Sequence, residues 1–221
     1  MSLLVVKVGG AVAGQSAAAV LALAAENDVC VVHGAGPQIS AEMERAGVPV
    51  EFIGGRRVTS EAGIAIVRSS LAAVNAALCV ALGDRAVAFF GDEIGLTATK
   101  IDGLGLAGDP LPSRPAELVS ALADGLIPVV APIATGPLNV NADEAAAALA
   151  LGLGADRLLF LTDVDGLLMD GAVVESIDVQ AATALLDGGS LEGGIIPKLH
   201  AAVTAARDGV PAWIGKTAVT A

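Results

Sequence analysis

Two lysines beside glycine pairs are the side chains in this chain best suited to chemistry. Lys7 interrupts the apolar run Leu3-Leu4-Val5-Val6-Lys7-Val8-Gly9-Gly10, and Lys198 closes Gly193-Gly194-Ile195-Ile196-Pro197-Lys198. The other lysines are Lys100 and Lys216, so lysine is not spread over the surface as a solubiliser. The first run is short and β-branched, as in a buried strand of a parallel sheet. A cation there is costly unless an anion meets it. A strand-end lysine can also snorkel to solvent, but the neighbouring glycines favour an anion site. They let backbone N–H groups approach a ligand closely.

A third glycine-rich turn, His33-Gly34-Ala35-Gly36-Pro37, lies between a strand-like run and a helix-like one. The N-terminus of a helix adds a favourable dipole for an anion. Three such turns, two of them with scarce lysines, point to phosphate handling. None matches the P-loop spacing, and no G-x-G-x-x-G with its distal acid is present, which disfavours P-loop enzymes and nicotinamide dehydrogenases. Three further segments carry polar groups. In Asn139-Val140-Asn141-Ala142-Asp143, Asn141 can cap a helix and Asp143 favour its dipole, or both can serve a site. Gly55-Arg56-Arg57-Val58-Thr59 is either a solvated turn or a guanidinium clamp for a carboxylate. Leu161-Thr162-Asp163-Val164-Asp165-Gly166-Leu167-Leu168 runs from strand to turn and lacks the EF-hand ligand spacing. Cys30 and Cys79 sit in apolar runs and read as reduced core thiols.

The elements that must position these residues alternate from end to end. Strands are expected at 3–8, 29–32, 86–90, 127–132, 158–162, 212–214 and 217–220. Helices are expected at 15–26, 37–45, 60–82, 115–124, 142–153, 179–186 and 196–207. An extended hairpin is expected over 50–58 and a surface hairpin within 92–113. This pattern predicts an α/β fold, a three-layer αβα sandwich around a mainly parallel, twisted sheet. Two lobes are expected, at about 1–135 and 136–221. Hydrophobic residues make up 54% and aromatics 2%, so Ala, Val, Leu and Ile must build the core. A net charge of −12 argues against a nucleic-acid surface and makes clustered cations meaningful. No apolar stretch approaches the roughly 18–20 uninterrupted residues of a membrane span. The start lacks a basic n-region, and a cytoplasmic protein is expected.

Taken in order, K-V-G-G at 7–10, H-G-A-G at 33–36, G-R-R-V-T at 55–59, N-V-N-A-D at 139–143, L-T-D-V-D-G-L at 161–167 and G-G-I-I-P-K-L at 193–199 resemble the amino acid kinase family. The resemblance is strongest to members serving arginine biosynthesis. It implies transfer of the γ-phosphoryl group of ATP to the side-chain carboxylate of N-acetyl-L-glutamate. It further implies that Lys7 and Lys198 offset charge on the transferred group while Asp143 holds both ammonium groups. Gly9 and Gly10 would face the nucleotide phosphates, and the N–H groups of Gly10, Ala35 and Gly36 would line the transfer site. Arg57 would clamp the α-carboxylate, and Asn139 and Asn141 would complete substrate recognition. Asp163, Val164, Asp165, Gly166, Leu167 and Leu168 would lie along the nucleotide. Mg²⁺ would be carried by ATP rather than by a protein cage.

Three features depart from the family pattern. Ala35 replaces a glycine, the C-terminal segment is short, and no helix precedes the first strand. The last of these leads to the expectation of a homodimer insensitive to arginine. The rival readings are a carboxylate kinase acting on aminoadipate or glutamate borne by a carrier protein, and a non-catalytic sensor on the same fold.

Overall fold

Runs of Val, Leu and Ile cut by Gly, Pro and Asn fold in the expected order. The computed structural model describes residues 1–10, 13–162, 164–169, 171–189 and 191–221. The chain begins β1 (Leu3–Val8), α1 (Ala13–Leu23), β2 (Asp28–His33), α2 (Gly36–Arg45), β3 (Phe52–Ile53), β4 (Arg56–Arg57) and α3 (Glu61–Leu82). It continues β5 (Ala86–Phe90), β6 (Ala98–Lys100), β7 (Ala107–Pro110), α4 (Ala116–Ala123), β8 (Ile127–Ala131), β9 (Ile133–Ala134) and β10 (Leu138–Val140). The remainder is α5 (Ala142–Leu153), β11 (Arg157–Leu161), β12 (Leu168–Met169), β13 (Ala172–Val173), β14 (Ser176–Asp178), α6 (Val179–Asp187), α7 (Ile195–Arg207), β15 (Ala212–Ile214) and β16 (Thr217–Thr220).

The main sheet has the order β14-β16-β15-β11-β1-β2-β8-β5. Its pairings are parallel except for β15 with β16. Successive side chains of a strand face opposite sides, so β1 feeds two separate cores. Leu4, Val6 and Val8 enter a core with Val20 of α1, Met43 of α2 and Leu71 of α3. Val5 enters the other core, with Leu118 of α4, Leu149 of α5 and Leu199 of α7. Helices thus cover both faces, as the alternation predicts. Lys7 shares the parity of Val5 and so faces α5, not the α1–α3 layer.

Local chemistry sets the helix ends. Ser60 caps α3 by accepting from the Gly63 N–H at 3.0 Å. Asn141 caps α5, accepting from the N–H of Asp143 at 2.8 Å. Helix α3 is the one helix among the described residues long and apolar enough to cross a membrane. Its Val67, Leu71, Val74, Leu78 and Leu82 are buried against the sheet. Buried Asn75 in α3 donates to the Val129 carbonyl at 3.0 Å, locking helix to strand.

The hairpin expected within 92–113 forms from β6 and β7, which pair antiparallel. It belongs to a larger four-stranded sheet, β6-β7-β10-β9, that carries Asn139 to the site. Strands β9 and β10 are not expected from sequence, because two or three residues carry no periodicity.

Candidate active site

Lys7 comes up from the middle of the sheet, between Val32 of β2 and Phe160 of β11. Its ammonium lies 2.8 Å from Asp143 Oδ1, and both side chains are buried. The anion demanded by the buried cation is therefore the first-turn carboxylate of α5. Lys198, in the first turn of α7, approaches the other oxygen of Asp143 at 4.0 Å and donates to the Gly194 carbonyl at 3.1 Å. One carboxylate thus sits between two ammonium groups, one from a strand near the start of the chain and one from a helix near its end. Two cations sharing one carboxylate make a setting that suits an anionic ligand.

The two N-terminal glycine turns meet above Lys7. A Cβ on Gly10 would stand 2.6 Å from the Gly34 carbonyl oxygen and 2.8 Å from the Ala35 Cα. The close approach is possible only without a side chain. Gln38 in α2 reaches across and donates to the Gly10 carbonyl at 3.0 Å. Pro37 follows Gly36 in the first turn of α2, whose leading N–H groups have no partner inside the helix. His33 below the turn is fully buried, and burial pushes its imidazole down to about 4. It is therefore neutral at physiological pH.

Arg57 of β4 is buried and folds under α2. Its Nη2 donates to the Gly36 carbonyl at 3.1 Å and to Ser40 Oγ at 2.8 Å, and Nη1 points to Met43 Sδ at 3.4 Å. The guanidinium stacks on the Phe52 ring at 4.5 Å. Burial lowers its pKa, so an anion there is the favourable occupant. A guanidinium has five N–H donors, and among the described residues three are committed, leaving two for a ligand. Asn139 donates to Thr59 Oγ1 at 2.9 Å, and Thr59 donates to the Arg57 carbonyl at 3.0 Å. The cavity enclosed is about 470 Å³. Its walls include Lys7, Gly9, Gly10, Ala35, Gly36, Arg57, Asn139, Asn141, Asp143 and Lys198. Residues expected from five separate segments converge there.

A model of the amino acid kinase family matches residues 2–216. The chain belongs to the amino acid kinase family. It is similar to the acetylglutamate kinase of Rubrobacter xylanophilus, at 41% identity over 97% of this chain and 88% of that protein. The acetylglutamate kinase of Frankia casuarinae is also 41% identical, over 83% of this chain and 56% of that one. The chain thus spans most of one relative and little more than half of the other. Among solved structures, smu.665 from Streptococcus mutans UA159 matches with a TM-score of 0.89 and 30% identity, covering 99% of this chain and 98% of that one.

In this amino acid kinase the described residues of the turn after β11, 164–168, are not among the walls of that cavity. Asp163 lies outside the described residues. Asp165 pairs with Lys216 at 3.0 Å, with both side chains exposed. Gly166 packs against Thr217, and Leu167, whose N–H binds Thr217 Oγ1 at 2.8 Å, is core. Val164 and Leu168 are exposed. Asn141 lines the cavity, but its side-chain oxygen is occupied in capping α5. Ser40, Gln38, Phe52 and Thr59, which orient Arg57, Gly10 and Asn139, do not stand out in the sequence. The only signal for Thr59 is its place in the G-R-R-V-T run.

Proposed function

We propose that this amino acid kinase phosphorylates the side-chain carboxylate of N-acetyl-L-glutamate with ATP, the second step of arginine biosynthesis. The observation that carries the reading is Asp143 set between Lys7 and Lys198, across one cavity from the buried Arg57. The identity to acetylglutamate kinases supports it. A carboxylate oxygen forms a bond to the γ-phosphorus while the bond to the β,γ-bridging oxygen breaks, giving an acyl phosphate and ADP. An ionised carboxylate needs no general base, so the work left to the protein is positioning and charge stabilisation.

ATP supplies the phosphoryl group, and the residues present fit its phosphates. Lys7 and Lys198 supply charge, and the Gly10–Gly34 approach supplies a cradle that a Cβ would fill. Asp143 keeps both ammonium groups aimed into the cavity. Arg57 holds the acceptor's α-carboxylate, and Asn139 with the leading N–H groups of α2 orients the rest. The turn 164–168, with its exposed Val164 and Leu168, is assigned to the nucleotide side. On this reading the acceptor lobe is about 1–135 and the nucleotide lobe about 136–221. Among the described residues no group of three His, Cys, Asp or Glu could hold a metal ion. On this reading Mg²⁺ enters with ATP, carried on its phosphate oxygens.

A homodimer in the cytoplasm completes the proposal. Strand β5 is the outer edge of the main sheet, and α3, which packs on it, exposes Ala73, Ala76, Ala77 and Val80. A second copy would cover that face, and light scattering giving a monomer or a hexamer would overturn this part.

The test of function is acyl phosphate trapped with hydroxylamine after incubation with Mg-ATP and N-acetylglutamate, glutamate or N-acetylaminoadipate. Product from N-acetylglutamate alone is expected. None from any of them would overturn the reading and favour a carrier-linked acceptor or a sensor.

A further inference from the structure

The hairpin that carries Arg57 is poorly anchored by burial. Its strands β3 and β4 are two residues each and pair only with one another. Phe52 and Ile53 are each 52% exposed, and an isolated two-stranded hairpin is marginal in water. Its base is tied down where Thr59 N–H donates to the Leu104 carbonyl at 3.1 Å. Among the described residues the tip is tied to the body by the two arginines, which as neighbours on one strand face opposite ways. Arg57 goes under α2. Arg56 goes the other way, to α5 and β7. Its Nε donates to both oxygens of Glu144 at 3.1 Å, and its Nη2 lies 2.9 Å from Glu144 Oε1 and 2.9 Å from Asp109 Oδ1.

Glu144 is the residue after Asp143, in the first turn of α5. Arg56 and Lys7 therefore pull on adjacent carboxylates of one helical turn. Arg56 also lines both the cavity described above and a second one of about 420 Å³ behind it, which Asp109, Glu144 and His200 line as well. Burial pushes the Glu144 carboxyl up, with Arg56 only partly offsetting it. The pair is partly withdrawn from water, where a forked contact constrains geometry more than a surface pair does.

We propose that Arg56 is a positioning residue: through Glu144 it latches the hairpin to α5 and so sets the distance between Arg57 and the Lys7–Asp143–Lys198 group. The consequence for turnover rests on the carboxylate-kinase reading, whereas the mechanical latch does not. Two measurements keep them apart. Hydrogen exchange of residues 52–57 in the unliganded chain reads the latch alone. Steady-state kinetics of Arg56→Gln, Glu144→Ala and the double variant read its effect.

Either single change should speed hairpin exchange several-fold and raise the acceptor KM about five- to tenfold, with kcat and the ATP KM within about twofold. The double variant should be no worse than the more damaging single one, since both remove one coupled contact. Arg56→Lys, which keeps charge but not the fork, should recover only part of the loss. Unchanged exchange would overturn the latch even if no acyl phosphate forms. A large effect of Arg56→Gln beside a silent Glu144→Ala would also overturn it, because Arg56 would then be meeting the acceptor directly. So would losses that multiply in the double variant.

Discussion

Removing the Asp143 carboxylate does two things that separate experimentally. It leaves Lys7 buried without its carboxylate, which costs roughly 3–5 kcal/mol of stability, and it frees Lys198 from one of its holds. Asp143→Ala should therefore lower both the melting temperature and kcat. Lys198→Ala should lower kcat on the order of 100-fold with little change in melting, since its side chain sits at the cavity rim rather than in the core. Arg57→Ala should act mainly on the acceptor KM. A reversal, with Arg57→Ala affecting kcat alone, would mean the roles are exchanged. His33 gives a further outcome. Its folded pKa is depressed from 6.5 to about 4, so the unfolded chain takes up a proton as pH falls below 6.5 while the folded one does not. Stability is lost across that window, by about 3 kcal/mol at 1.36 kcal/mol per unit, and is level in this respect below pH 4. In denaturant melts, the stability lost between pH 7 and pH 4 should be smaller in His33→Gln than in the parent chain by that amount. Lys7 and its need for an anion were readable in the sequence because a cation inside a β-branched run has few alternatives. Ser40 and Gln38 were not, because their roles exist only once α2 lies beside β1 and β4.

The glycine turns owe their function to how closely two elements approach. Gly10→Ala would drive a methyl group into the Gly34 carbonyl and the Ala35 Cα, both backbone, so the two turns must part. Weaker binding of both substrates and a lower melting temperature are expected. Gly36→Ala, with nothing within 4 Å of its Cβ, should leave melting unchanged. Equal destabilisation by the two changes would show that chain entropy, not the approach, dominates. Most long elements were readable from sequence. The 60–82 helix appears as α3 with Ser60 as its cap, and the 142–153 helix appears with the same bounds. The short strands β9, β10, β12, β13 and β14 were hidden because pairing partners, not local preference, define them. Asn139 was expected at the site, but the reason it arrives there, the parallel pairing of β10 with β7, is a tertiary fact.

Across the whole molecule, the expected sandwich formed because both parities of β1 are apolar except at Lys7, which requires cover on both faces. Helices α1–α3 and α4–α7 provide that cover. The core's small side chains let α5 lie close to its neighbours, to the point that a Cβ on Gly152 would fall 2.0 Å from the Ser113 carbonyl. Gly152→Ala should therefore be among the most damaging single-methyl additions in the chain, by more than the ~1–3 kcal/mol usual for overpacking, read as loss of the cooperative melt. Cys30 is fully buried and its thiol is pushed up to about 12, which makes it inert to alkylation while the fold holds.

The position of β1 also has a consequence for synthesis. Its partner β2 comes soon after it in the chain, but β11 pairs through Leu4↔Arg157 to Val8↔Leu161. Until Arg157 and its neighbours have left the ribosome, the strand destined for the middle of the sheet is an edge. Such an edge is a template for aggregation unless something interrupts it, and an inward-pointing charge is one of the devices that does so. Lys7 is that charge. Until Asp143 and β11 arrive, the lysine here proposed to meet a phosphoryl group would also disfavour wrong strand partners for the nascent chain.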